Sequence, residues 1–200
     1  MSKPTFETSA LELIEVLQKS LLLQDHVKES GEAILQSIKN GGKLLTCGNG
    51  GSAADALHLS EELVGRYKVE RRALPAICLN ADVTAITCIG NDYGYNDIFS
   101  RQVEALGNPG DVLVGFSTSG NSANVFSAFR KAKEAGLVTV FLGGKDGGLI
   151  KGLCDYELIV PSTTTARIQE VHTLILHQWL EYIDATDWSF LNKSVNQLAF

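Results

Sequence analysis

Apolar positions along this 200-residue chain follow two alternating rhythms: helical runs with an aliphatic residue every third or fourth position, and short continuous apolar runs that end in glycine or a hydroxyl residue. Residues 8–38 contain no proline and a single glycine, Gly31, and Leu13, Leu17 and Leu21 recur at i, i+4 and i+8, which predicts an amphipathic helix or helix pair ahead of the rest. Such a stripe serves either an oligomer contact or packing on its own subunit. The pattern then alternates: strand 43–47, helix 53–67, strand 76–80, a helical turn near Ala85, a Gly/Asn/Asp/Tyr-rich loop 90–97, helix 98–106, strand 112–116, helix 123–135, strands 138–142 and 156–160, and a long final helix 166–185. Strands separated by helical runs of this length predict β-α-β crossovers, hence a doubly wound parallel α/β sheet, a flavodoxin-like three-layer sandwich with a long N-terminal helix.

Pro109-Gly110-Asp111, the run 143–148 and Pro161 are turn punctuation inside that pattern, so one domain is expected over 1–186. The tail 187–200 carries Trp188, Phe190, Leu191, Leu198 and Phe200 without a period, and suits either docking on a neighbouring subunit or fraying.

An apolar content of 44% over this length supports one substantial core. The formal charge of −6, with Lys and Arg scattered, excludes a nucleic-acid footprint and an anionic membrane surface, so any anion site is local. No stretch is long and apolar enough to span a bilayer, and Met1-Ser2-Lys3-Pro4 lacks a signal-peptide core, so a cytoplasmic protein is expected. Cys47, Cys78, Cys88 and Cys154 fall in or beside predicted strands without C-x-x-C spacing, and read as reduced core thiols.

Two hydroxyl-rich loops carry the first chemical signal. Gly48-Asn49-Gly50-Gly51-Ser52 and Ser117-Thr118-Ser119-Gly120-Asn121-Ser122 each follow a predicted strand and precede a predicted helix. Either alone serves as a tight turn with a Ser or Asn cap. Side by side at the carboxyl ends of parallel strands, they suit a phosphate ester, with close backbone approach at the glycines and a helix N-terminus facing the anion.

The second signal lies on two helices. Asp55, His58, Glu61 and Glu62 follow the first loop, and His58 and Glu62, four apart, project from one face with donors that suit zinc. The same spacing also suits an exposed polar face with a His/Glu hydrogen bond. The last helix carries Gln169, Glu170, His172 and His177 among core residues, and Gln169 and His177, eight apart, both reach one pocket. His172 falls off that line and reads as a structural histidine.

These motifs, with Gly65-Arg66-Tyr67, Gly90-Asn91-Asp92-Tyr93-Gly94, Lys145-Asp146-Gly147-Gly148 and Arg167-Ile168-Gln169-Glu170, resemble the phosphoheptose isomerases of the sugar isomerase (SIS) domain superfamily from the N-terminal helix to Ala185. The resemblance implies a homotetramer, with active sites between subunits, that converts sedoheptulose 7-phosphate to D-glycero-D-manno-heptose 7-phosphate on the way to nucleotide-activated heptose. It implies His58, Glu62, Gln169 and His177 as zinc ligands, and Glu62 and His177 as the acid/base pair. Asn49, Gly50, Gly51, Ser52, Glu62, Asn91, Asp92, Ser117, Thr118, Ser119, Ser122 and Gln169 correspond to substrate contacts. One departure is Ala166, where some members carry an acidic residue, which alters one contact to the sugar.

Ketose–aldose interconversion needs a proton taken from C1 and returned at C2 through an enediol, work that one carboxylate and one imidazole can do. The rival function is that of paralogues that keep the fold without the acid/base residues and act as tetrameric scaffolds for the replication initiator DnaA. Retention of His58, Glu62 and His177 favours the enzyme.

Overall fold

The structure, a computed structural model, describes residue 3 and residues 5–188. Five strands form one parallel sheet in the order β2-β1-β3-β4-β5: β1 (Leu44–Gly48), β2 (Ala76–Cys78), β3 (Val112–Ser117), β4 (Val138–Gly144) and β5 (Tyr156–Val160). The chain leaves β1 for β2 on one side and returns to β3 on the other, so the order reverses between β1 and β3. In this pairing Leu44 lies beside Val112 and Gly48 beside Phe116. That is where open α/β sheets form a ligand crevice at the strand carboxyl ends.

Both sheet faces are covered, which is why the strands read as unbroken apolar runs. Leu44, Val112, Val114, Phe116 and Val140 point to one core with α1 (Phe6–Ser20), α2 (Gln24–Lys39), α3 (Gly51–Val64) and α7 (Thr165–Asp184). Leu45, Cys47, Leu113 and Phe141 point to the other, with α4 (Val83–Asp92), α5 (Ser100–Leu106) and α6 (Ala123–Glu134). The doubly wound prediction holds.

The N-terminal segment is a helix pair, α1 and α2, joined through a 3-10 turn at Leu21–Leu23. It starts two residues earlier than expected because Thr5 and Thr8 cap it reciprocally, each side chain accepting from the other's backbone N–H (3.2 and 3.0 Å). Gly31 has a packing reason: a Cβ there would lie 2.8 Å from Trp179 and 2.9 Å from Tyr182 of α7. Without one, α7 settles onto α2 and the Trp179 indole N–H reaches Val27 O (2.9 Å).

Three expectations need correction. The turn near Ala85 and the first residues of the expected 90–97 loop are one helix, α4, because Asp82 caps it by accepting from Ala85 N (2.9 Å). Cys88 therefore sits exposed on a helix rather than beside a strand, whereas Cys47 and Cys78 are buried and all four thiols are free. Trp188, assigned to the tail, is buried and donates to Ile183 O (2.9 Å). The expectations for 189–200 lie outside the described residues.

Candidate active site

The β1–α3 connection turns at Gly50, whose φ of 57° and ψ of −122° glycine alone adopts readily. Asn80, just past β2, brackets Gly48 by accepting its N–H (3.1 Å) and donating to its carbonyl (2.9 Å). Asn49 exchanges amide hydrogen bonds with buried Asn124 of α6 (2.8 and 2.9 Å) and accepts from the Tyr95 hydroxyl (3.0 Å). A loop that would otherwise be mobile is thereby anchored to three elements, leaving one Asn49 amide hydrogen for a ligand.

The β3–α6 loop stands next to it, since β1 and β3 are paired. Buried Ser117 shares a hydrogen bond with Ser122 (2.9 Å), Ser119 Oγ accepts from Asn121 N (3.2 Å), and Thr118 and Ser119 are partly exposed. Ile150 N donates to Gly120 O (3.2 Å), tying this loop to the 3-10 turn Gly148–Ile150. Ser52 is buried in the first turn of α3. The two loops thus leave neighbouring strand ends, each running into the N-terminus of a helix.

From the crevice at the strand carboxyl ends α3 and α7 run side by side in the same direction, in contact at three levels. A Cβ on Gly51 would lie 2.4 Å from the Gln169 amide nitrogen, Thr173 Oγ1 donates to Asp55 Oδ1 (3.1 Å), and the His58 and His177 rings meet edge to face with centroids 5.1 Å apart. Seven residues separate the outer levels on α3 and eight on α7, roughly 10–12 Å of helix rise. Gln169 therefore sits at the loop end, His58 and His177 about two turns away, and Glu62 one turn beyond His58.

At the far end His58 Nε2 lies 3.4 Å from Glu62 Oε1, and one ligand atom each from His58, Glu61 and Glu62 fall within 4.8 Å of one another. Imidazole and carboxylate oxygens in one half-exposed cluster suit zinc. Tyr67 stacks on His177 at 5.5 Å with planes 19° apart. Burial lowers the pKa of His177, the His58 charge lowers it further, and Glu62 pulls it back up. Asp55, at the middle level, is buried with Oδ2 unpartnered, and burial raises its pKa against the pull of Thr173 and His58.

Other expected residues separate from this line. Asn91 and Asp92 are exposed at the end of α4 and bonded to each other (2.7 Å); Tyr95, three residues on from Asp92, is what reaches Asn49. His172 is fully buried and donates from Nε2 to Gly143 O (2.9 Å), as expected of a core histidine. Glu170 pairs with Arg167 (2.7 Å), which also donates to Ser9 O on α1, and Ala166 is exposed. Sequence reasoning missed Asn80, Tyr95 and Asn124, and gave Tyr67 only as part of Gly65-Arg66-Tyr67 without a role, because the contacts of all four are far along the chain.

The SIS domain family model matches residues 5–144. The phosphoheptose isomerase of Campylobacter jejuni serotype O:6 is 54% identical over 170 residues, 85% of this chain and 91% of that protein. That of Helicobacter pylori strain P12 is 56% identical over 164 residues, 82% of this chain and 85% of that one. The solved phosphoheptose isomerase GmhA from Neisseria gonorrhoeae superposes with a TM-score of 0.85 at 44% identity, over 90% of this chain and 97% of that one.

Proposed function

This chain belongs to the SIS domain family and, within it, to the phosphoheptose isomerases, and is an isomerase; we propose that it converts sedoheptulose 7-phosphate to D-glycero-D-manno-heptose 7-phosphate. The observation that carries this reading is the placement of two anion-suited loops at one end of the α3/α7 groove and of Glu62 with two histidines at the other. A phosphate ester has a hydroxyl-lined berth, and the carbonyl end of the sugar has a base.

In this scheme Ser52, Ser117, Thr118, Ser119 and Ser122 donate to the phosphate with the Asn49-Gly50-Gly51 backbone, and Asn91, Asp92 and Gln169 contact the sugar hydroxyls. Glu62 takes the proton from C1 and His177 moves protons between the two oxygens, after which Glu62 returns its proton to C2. His58, Glu62 and His177, with Gln169 from the loop end of the groove, would hold a zinc ion. When bound, that ion polarises a carbonyl and stabilises negative charge on its oxygen.

Leu11, Ile14, Leu21 and Leu22 on the N-terminal helix pair and Leu174 on α7 are exposed, and Leu21 and Leu174 line a mostly apolar cavity of about 350 Å³ between these elements, which supports the homotetramer implied by the resemblance. Among the described residues no helix is long and apolar enough to cross a membrane.

The test is incubation of the protein with sedoheptulose 7-phosphate and detection of the aldose product. Turnover is expected; a folded protein that leaves the ketose unchanged would instead fit a non-catalytic SIS scaffold.

A further inference from the structure

The segment between α3 and β2 is held by one buried ion pair. Arg71 and Asp184 have side chains only 4% and 7% exposed, and Arg71 Nε donates to Asp184 Oδ1 (3.1 Å). Two further guanidinium donors go to the open end of α3, Nη2 to Glu62 O (2.6 Å) and Nη1 to Leu63 O (2.9 Å), and Nη1 also donates to Arg72 O (3.1 Å). Asp184, the last residue of α7, uses its other oxygen to accept from Lys68 N (2.8 Å) and Val69 N (3.2 Å).

Three parts of the groove therefore meet at one pair. Arg71 grips the carbonyl of Glu62 itself. Asp184 ends the helix that carries His177. The two N–H groups it accepts follow Tyr67, whose ring stacks on His177. Lys68 continues the chain of contacts, 5.0 Å over the Tyr67 ring and paired with Glu181 of α7.

Capping alone does not call for this arrangement. Terminal helix carbonyls can be satisfied by water or by a lysine, and a buried ion pair adds little net stability once both charges are desolvated. A planar fork with fixed donor directions adds rigidity in three directions at once. From this geometry we infer that Arg71 and Asp184 are positioning residues, which set the separation of Glu62 from His177 through the α3 terminus and the Tyr67 stack. The inference rests on the proposed roles of Glu62 and His177.

The test is steady-state kinetics of Arg71→Lys and Asp184→Asn with sedoheptulose 7-phosphate, at temperatures where each variant is fully folded. A loss of about 10-fold or more in kcat with KM changed by less than about 3-fold is expected, because a displacement of about 1 Å in an acid/base pair costs rate rather than binding. In Arg71→Ala, added guanidinium ion should restore part of kcat, entering through the cavity of about 290 Å³ lined by Arg71, Arg72, Asp184 and Trp188. Folded variants with kcat within about 2-fold of the parent would overturn the inference. Should neither substitution fold, Tyr67→Leu carries the test, since it removes the ring delivered to His177 and leaves the ion pair intact: a comparable kcat loss supports the inference and an unchanged kcat overturns it. Glu62→Gln, assayed in parallel, separates the two levels: full activity there refutes the catalytic reading itself, whereas loss there with normal kcat in the other variants refutes only the role of the pair.

Discussion

His58 of α3 and His177 of α7 meet edge to face with ring centroids 5.1 Å apart, although 119 residues of chain separate them. Glu62 lies 3.4 Å from the first ring, and its charge acts on the second. Two imidazoles beside one carboxylate repel each other when protonated, and share a divalent cation readily when neutral. The purified protein is expected to carry one zinc per chain, visible as an anomalous peak at the zinc edge within coordination distance of these three side chains and of Gln169. Its removal by a chelator should lower turnover, and zinc should restore it. A metal-free protein of full activity would reduce the cluster to its proton-transfer roles.

At the other end of the groove, Gly51 and Gln169 give a prediction in which stability and activity move in opposite directions. A Cβ on Gly51 would lie 2.4 Å from Gln169 Nε2, the far end of a flexible side chain, so Gly51→Ala displaces the amide without breaking the backbone. Replacing glycine by alanine within a helix is worth up to about 1 kcal/mol, so the melting temperature should hold or rise. KM for the sugar phosphate should rise by about 10-fold or more, the equivalent of one lost hydrogen bond to a charged or polar ligand group. An unchanged KM would remove Gln169 from the substrate contacts.

The contrast between these two ends shows what was legible in the sequence. His58 and Glu62 share a face by their spacing alone, and the glycine and serine loops announce themselves by composition after apolar runs. The parallel, doubly wound sheet follows from the alternation, whereas the strand order, and with it the place of the crevice between β1 and β3, does not. Nor does the partner of each group. Asn124 looks like any polar residue in the first turn of a surface helix until the fold brings it 2.8 Å from Asn49 across 75 residues. Tyr67 stands in the Gly65-Arg66-Tyr67 motif without a legible role until Arg71 and Asp184 fold that segment back over His177. Helix α4 was hidden for a local reason: Thr84, Thr87 and Gly90-Asn91-Asp92 are weak helix formers, and the Asp82 cap supplies what the propensities lack.

His172 gives a prediction about pH. It is fully buried, its Nδ1 has no partner, and burial pushes its pKa down to about 4 although its bond to Gly143 O acts the other way. A histidine in the unfolded chain titrates near 6.5, so between about pH 6.5 and 4 the unfolded state binds a proton that the folded state refuses. The resulting stability is fully present above about 6.5 and is lost as pH falls toward 4, by about 3 kcal/mol in all. Urea midpoints of the parent should therefore fall across this window more steeply than those of His172→Gln, which cannot titrate. Parallel curves would show that the ring is protonated in the folded protein.

The assignment of the base is tested at Glu62. The carboxylate sits one helical turn beyond His58, its side chain only 17% exposed, facing the groove shared with His177. Glu62→Gln keeps the shape and the hydrogen-bonding oxygen but cannot accept a proton from carbon. Loss of a general base should cost at least about 100-fold in kcat, equivalent to about 2.7 kcal/mol, while the fold and substrate binding persist. The same variant should stop exchange of the C1 proton of sedoheptulose 7-phosphate with deuterated solvent, because exchange reports proton abstraction before product leaves. His177→Asn is the complementary measurement: with Glu62 in place C1 exchange should survive while net turnover falls, since abstraction at carbon continues and transfer between the oxygens does not. Exchange that persists in Glu62→Gln and vanishes in His177→Asn would interchange the two roles.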